Sequence, residues 1–169
     1  MKQEKVKTYK MSISRVFPAI HPRAGEKTNF AEKIGVSVHE TPIYGNFYKL
    51  HTIRSNYPLW KKRIDEVNAG KAVLVLFEWE EKPYRSNHRD LFRFDKNSGI
   101  SVQKIEFGTN LEDNNFFVIK RGSEILSMYY NINRLANNDG LSLEDFNNWF
   151  KNYDLSEPMA IIHFTKFRY

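Results

Sequence analysis

The chain predicts an α+β fold, a mostly antiparallel β-barrel flanked by short helices. Two observations carry that expectation. Strand-like stretches follow one another across short turns, with few of the long crossovers that parallel pairing needs. Phe (13) and Tyr (9) dominate the aromatic residues, and both favour pleated, half-buried surfaces. The 169 residues suit a single domain covering 1–169. A hydrophobic content of 41% is enough for a core.

Residues 10–17 alternate well enough for a first strand. His21-Pro22-Arg23-Ala24-Gly25 is turn-like. Thr28 or Asn29 caps a short helix that buries Phe30 and Ile34, four residues apart. Residues 35–47 hold Gly35, Pro42 and Gly45 and read as an irregular connection. A strand follows at 49–54. Pro58 opens a helix at its tolerated first position. Trp60, Ile64 and Val67 recur at helical spacing, and Asn68-Ala69-Gly70 stops that helix. Ala72-Val73-Leu74-Val75-Leu76-Phe77 is a near-continuous apolar run, as in a strand buried on both faces.

After Pro83, residues 84–94 pair back through Phe92 and Phe94. Strands at 100–107 and 115–120 lead to a hairpin turn at Arg121-Gly122 and on into 124–130. Asp139-Gly140 marks a sharp turn. Ser142 with Asp145 resembles a capping box with Asp in place of Glu or Gln. The helix after it puts Phe146, Trp149 and Phe150 on one side. Met159–Phe164 is the last strand. The sum is six or seven strands and three helices.

Composition narrows the function classes. Lys and Arg number 26 against 20 Asp and Glu, a formal charge of +6; a basic surface draws polyanions without selecting one. The chain has no cysteine. That excludes disulfides, thiolate metal sites and a cysteine nucleophile, and it fits a reducing cytosol. No apolar run is long enough to span a bilayer. No apolar segment follows the basic start, Met1 to Lys7, so no secretory signal is expected. The expectation is a soluble cytoplasmic protein without membrane contact.

Lys49-Leu50-His51-Thr52-Ile53-Arg54 concentrates the chemistry: an amine, a hydroxyl and a guanidinium within six residues. On a strand Thr52 and Arg54 share a face, and a loop can fold the Lys49 amine back towards it. Such a cluster suits an anionic or carbonyl-bearing ligand, or an activated nucleophile.

Lys-x-x-Thr-x-Arg after a Phe-x-x-x-Ile helix resembles the signature of ASCH domains, whose fold is related to the PUA RNA-binding domain. Phe30 and Ile34 match the helix; Lys49, Thr52 and Arg54 match the strand. Ala69-Gly70-Lys71-Ala72-Val73-Leu74-Val75 is similar to the family's Gly and buried strand. Asp139 to Phe146 is similar to its acidic turn and last helix, and Ile161-Ile162-His163-Phe164 to its closing strand. The likeness covers residues 28–34, 49–76 and 136–165, with insertions at about 35–48 and 80–130. Phe47-Tyr48 stands where the family has a Gly-basic step.

The resemblance implies a PUA-like barrel and an RNA or modified-nucleoside ligand. Some small members remove the acetyl group of acetylcytidine with a Lys, a Thr and an acid before the last helix. By motif match these are Lys49, Thr52 and Asp139. The family acid is a Glu, one methylene longer, and catalytic geometry is sensitive to about an ångström.

Elementary chemistry accommodates those roles. A threonine hydroxyl attacks only when a base takes its proton. A lysine is a base only when burial or a neighbouring cation lowers its pKa, and Arg54 is a candidate cation. Asp139 can orient the amine or protonate the leaving group, although a carboxylate beside Lys49 favours its charged form. Plainer readings stand alongside. Lys49 is a solvated lysine at a strand start, Thr52 a β-propensity choice, Arg54 a partner of Asp139 or Glu78, and Asp139 the turn residue before Gly140.

A second basic stretch holds Arg54, Lys61, Lys62 and Arg63, interleaved with Tyr57 and Trp60. Cations that hold phosphates and aromatics that stack on bases bind single strands. Arg54 and Lys61 are the phosphate candidates; Trp60 shares the apolar stripe of Ile64 and turns inward. Arg85, within Tyr84-Arg85-Ser86-Asn87-His88-Arg89, lines a rim or an exposed hairpin. Of five histidines, none has metal-ligand spacing. His21, beside Arg23, is the one expected to face a pocket, while His51 and His163 read as core. No Gly-rich phosphate loop or Walker pattern is present, and no cofactor is expected.

The leading expectation is recognition of a nucleic acid or modified nucleoside in a cleft of Lys49, Thr52, Arg54 and Asp139. Hydrolysis of an acylated nucleobase amide is the runner-up. A protein-interaction module on residues 80–130 is third.

Overall fold

A computed structural model describes residues 6–39, 45–108, 116–121, 124–127 and 132–169. Among these residues the chain is α+β, with eight strands in two sheets and four helices. In order they are β1 (Lys7–Ser12), α1 (Phe30–Val38), β2 (His51–Arg54), α2 (Tyr57–Asn68), β3 (Ala72–Trp79) and β4 (His88–Phe94). Then come β5 (Ser101–Gly108), β6 (Phe116–Arg121), β7 (Glu124–Ser127), α3 (Ile132–Asn138), α4 (Leu143–Phe150) and β8 (Met159–His163). The strand orders are β1-β3-β4 and β2-β8-β5-β6-β7. Among the described residues β1–β3 is the one parallel pairing, and the rest are antiparallel. Neither order closes on itself.

The apolar run predicted to be a fully buried strand is β3. It is central in its sheet, between β1 and β4, and α2 packs on it. Ala72 to Leu76 are all buried, on both faces. Helix α2 starts as expected: Pro58 sits in its first turn, and the Asn56 side chain accepts from the Leu59 N–H at 3.2 Å. Trp60, Ile64 and Val67 are buried. Gly70, at φ 75°, carries the chain away in a left-handed conformation that glycine alone adopts freely.

Helix α1 is capped by Thr28, whose Oγ1 accepts from the Phe30 N–H at 3.3 Å. Asn29 makes no side-chain cap. The helix runs to Val38, past the boundary expected at Gly35, where a Cβ would lie 3.7 Å from the Phe92 ring of β4. The rest of that expected irregular connection includes residues 40–44, which lie outside the described residues. The first strand begins and ends earlier than 10–17. Ile13 N–H makes a last bond to Phe77 O of β3 at 2.7 Å; Ile13 and Phe17 are buried in the core, and Val16 makes an isolated bridge with Lys27. Residue 115, Gly122 of the expected hairpin turn, and residues 128–130 also lie outside the described residues.

Helix α3 was not expected. Its sequence, Ile-Asn-Arg-Leu-Ala-Asn-Asn, mixes good helix formers with three asparagines, which are weak ones, and Leu135 and Ala136 are buried. At α4, Ser142 Oγ accepts from the Asp145 N–H at 3.0 Å. The reciprocal half of the capping box is missing, because the Asp145 carboxylate takes Arg23 Nη1 at 2.7 Å. Ser142→Ala is expected to lower stability by about 1 kcal/mol, read from the urea midpoint at pH 7.

Candidate functional site: a polar hollow beside β2

Lys49 is not a solvated lysine. Its backbone N–H reaches Lys33 O of α1 at 3.2 Å and Ser37 Oγ at 3.1 Å, which draws the residue inside. It is 1% exposed. Its Nζ donates to the backbone O of Asp139 and, at 2.9 Å, to Asp139 Oδ1. It also stands 4.1 Å from the centroid of the Phe30 ring. The three N–H directions of an ammonium are therefore occupied by two oxygens and a π-face.

The turn after α3 allows this approach. Gly140 has φ 78°, and a Cβ there would lie 3.1 Å from Lys49 Cβ. Lysines clasp two successive carbonyls of that turn: Lys49 takes Asp139 O, and Lys33 takes Gly140 O at 2.7 Å. Asp139 is thus the turn residue before a glycine and an ion-pair partner at once.

Behind Asp139 the network continues. His51 Nδ1 lies 3.5 Å from Asp139 Oδ1, too long for a formed hydrogen bond. His51 Nε2 is 2.6 Å from the Tyr169 hydroxyl. That hydroxyl also accepts from Asn138 Nδ2–H at 2.9 Å.

Burial sets the electrostatics. It pushes the Lys49 amine below its ordinary value; Asp139 opposes the shift, and the Arg54 and Lys33 charges add to it. Burial alone would raise the Asp139 carboxyl. The Lys49 charge and the facing His51 ring outweigh that and hold it below the usual carboxylate range. Burial also pushes His51 down, so its ring stays neutral.

Arg54 has neither of its expected acid partners. Glu78 is taken by Arg89 Nη2 at 2.6 Å, and Asp139 by Lys49. Arg54 Nη2 donates to Ser12 O, and its buried Nε has no hydrogen-bond partner. No carboxylate of the described residues pairs with it. Two residues back on the same face, Thr52 is 7% exposed, and its hydroxyl makes no hydrogen bond to a described residue. Lys49, Thr52, Arg54 and Asp139 all line one hollow of about 60 Å³, with Phe30 and Tyr153 among its walls. That space holds a few waters or one small polar group, well below the ~300 Å³ of a typical small-molecule pocket.

No family model, curated protein or solved structure matches the chain. The geometry therefore carries the functional reading.

Other sequence candidates lie elsewhere. His21 is buried on its own account: Nδ1 accepts from Arg23 N–H at 3.0 Å, Nε2 meets Asp145 O at 3.2 Å, and the ring packs 4.5 Å from Phe17. It does not line the Thr52 hollow. Arg23 lines a separate, larger hollow. Lys61 pairs with Asp65 at 2.5 Å on the outer face of α2. Arg85 is exposed in the turn before β4. Trp60 is turned inward, with the Arg63 guanidinium 4.9 Å from its ring centroid. Among the described residues no helix is long and apolar enough to cross a membrane. Nor does any group of three or more His, Cys, Asp or Glu side chains stand where it could hold a metal ion. Sequence reasoning missed Tyr153 as a wall and Tyr169 as the partner of His51; the latter contact spans 118 residues, and no local spacing signals it.

Proposed function

We propose that the hollow beside β2 recognises one oxygen-bearing group of a nucleic acid or modified nucleoside, as an ASCH-like domain would. The observation that supports this is Arg54, half-buried, with a buried Nε that has no hydrogen-bond partner and no carboxylate paired with it among the described residues. It stands on the wall of a hollow that also holds an unused hydroxyl. A phosphate or carbonyl oxygen of a ligand supplies the absent acceptor, and a guanidinium suits both. A volume of about 60 Å³ admits that one group and leaves the rest of the ligand outside. In the same reading the two sheets are parts of a PUA-like barrel. Helix α2, which packs on β3 of one sheet and on β5 and β8 of the other, bridges them.

The amidohydrolase alternative draws on the same hollow, because Lys49, Thr52 and Asp139 all line it. Burial loosens the Lys49 proton, which is the direction a base needs. Yet its N–H directions are all engaged, and no hydrogen bond links it to the Thr52 hydroxyl. Binding demands less of the site than catalysis does.

Both readings are tested together. RNA affinity is expected to fall about threefold for each phosphate held between about 50 and 200 mM salt, and Arg54→Gln to weaken it about tenfold at the lower salt. A salt-independent affinity removes phosphate as the recognised group, and an Arg54→Gln variant that binds as wild type does removes the binding assignment. Acetate release from acetylcytidine above background, lost in Thr52→Ala and Lys49→Ala, moves the assignment to the enzyme.

A further inference from the structure

We propose that a second hollow, between the start of α1 and the turn joining α3 to α4, binds a phosphate group. It measures about 300 Å³ and shares no lining residue with the Thr52 hollow. The Asp139–Gly140 turn divides the two. Asp139 lines one and Gly140 the other.

Three cations, Arg23, Lys27 and Lys33, line the second hollow against one acid, Asp145. That acid is already engaged: its Oδ2 takes Arg23 Nη1 at 2.7 Å, and its Oδ1 stands 3.7 Å from His21 Nε2. Arg23 is further held by Glu26, at 2.7 Å from its Nε. The two lysines have no acid. Lys33 donates only to Gly140 O, and Lys27 is exposed and makes no ion pair among the described residues. Two lysines therefore stand in one concavity without an ion-pair partner among the described residues.

Burial and then the Arg23 charge hold the Lys33 amine below its ordinary value, against the pull of Asp145. An anion in the hollow would favour the charged amine. A phosphate monoester carries close to two negative charges at neutral pH and accepts from several directions, which suits two lysine point charges better than one carboxylate does. Asn29 adds to the same wall, where its side chain makes no cap bond to α1.

Titration calorimetry at about 50 mM salt tests this on the full chain, with inorganic phosphate, cytidine 5′-monophosphate and cytidine as probes. Inorganic phosphate is expected to saturate one site. Its Kd is expected to rise about tenfold in Lys27→Gln and in Lys33→Gln, and to stay at the wild-type value in Lys71→Gln, which removes an equal charge elsewhere. Lys27 has no partner to lose, so its variant keeps the wild-type Tm, and its result does not depend on folding. A nucleotide that binds more tightly than phosphate makes the source a nucleotide; equal affinities make it phosphate alone. Absence of saturation, wild-type Kd in both pocket variants, or an equal loss in Lys71→Gln overturns the proposal. Loss of phosphate binding in Arg54→Gln but in neither lysine variant would place the phosphate in the Thr52 hollow instead and overturn this proposal, so the two sites are told apart.

Discussion

Asp139→Ala is expected to lower stability by about 3–5 kcal/mol, the largest single effect at this site. The substitution leaves the Lys49 ammonium buried at 1% exposure with only a backbone oxygen and a ring face for company. The cause is separable from the loss of a turn residue. A double variant, Lys49→Met with Asp139→Ala, removes the charge as well as its partner. It is expected to recover a good part of the loss, with a coupling of about 1–3 kcal/mol in the cycle. Urea unfolding at pH 7 measures all four proteins. An Asp139→Ala protein within about 1 kcal/mol of wild type would show that Lys49 carries no charge in the folded state.

The second large effect is on acid stability. His163 is fully buried in β8 beside Gln103, whose Oε1 lies 2.8 Å from its Nε2. Burial, with the neighbouring His51 and Arg168, pushes it down to about 2. In the unfolded chain a histidine takes up its proton near pH 6.5. Below that pH the unfolded state binds a proton that the folded state refuses. Stability therefore falls with acid, by about 1.4 kcal/mol per pH unit for this residue. His51, also pushed down, adds to the fall. Asp139 acts in a lower window: its depressed carboxyl contributes stability above about pH 4 that is lost only as pH falls further. Between pH 6.5 and 4 the loss from His163 alone is expected to reach about 3 kcal/mol. Urea midpoints at pH 7, 6, 5 and 4 give the slope. His163→Gln is expected to flatten it by about 1.4 kcal/mol per unit, even where the variant is less stable at pH 7. An unchanged slope would place the acid sensitivity elsewhere.

Residues that announce themselves through local physics were legible in the sequence. The apolar run of β3, the Pro58 start and Gly70 stop of α2, and the Ser142 cap of α4 each follow from a spacing within a few residues. Helix α3 escaped because three weak helix formers stand among its seven residues. The end of β1 escaped because its partner strand, not its own alternation, decides where pairing stops.

The same division holds at the site. Strand geometry placed Thr52 and Arg54 on one face, and the motif linked Lys49 to Asp139. Which acid pairs with which base was not legible. Glu78 and Asp139 were both open to Arg54 in sequence, and packing gave one to Arg89 and the other to Lys49. The solitude of Arg54 is a result of that competition.

The pairing of β2 has one more consequence. In the sheet order β2 stands at an edge, with β8 as its neighbour, and Thr52 is opposite Ile162 and Arg54 opposite Ala160. During translation, therefore, the strand bearing the hydroxyl and the guanidinium leaves the ribosome more than a hundred residues before the segment that anchors it. The Asp139–Lys49 clasp also waits for late residues. The nascent polypeptide carries this chemistry unassembled while more than a hundred further residues are made, and the polar hollow takes shape only after β8 has emerged to pair with β2.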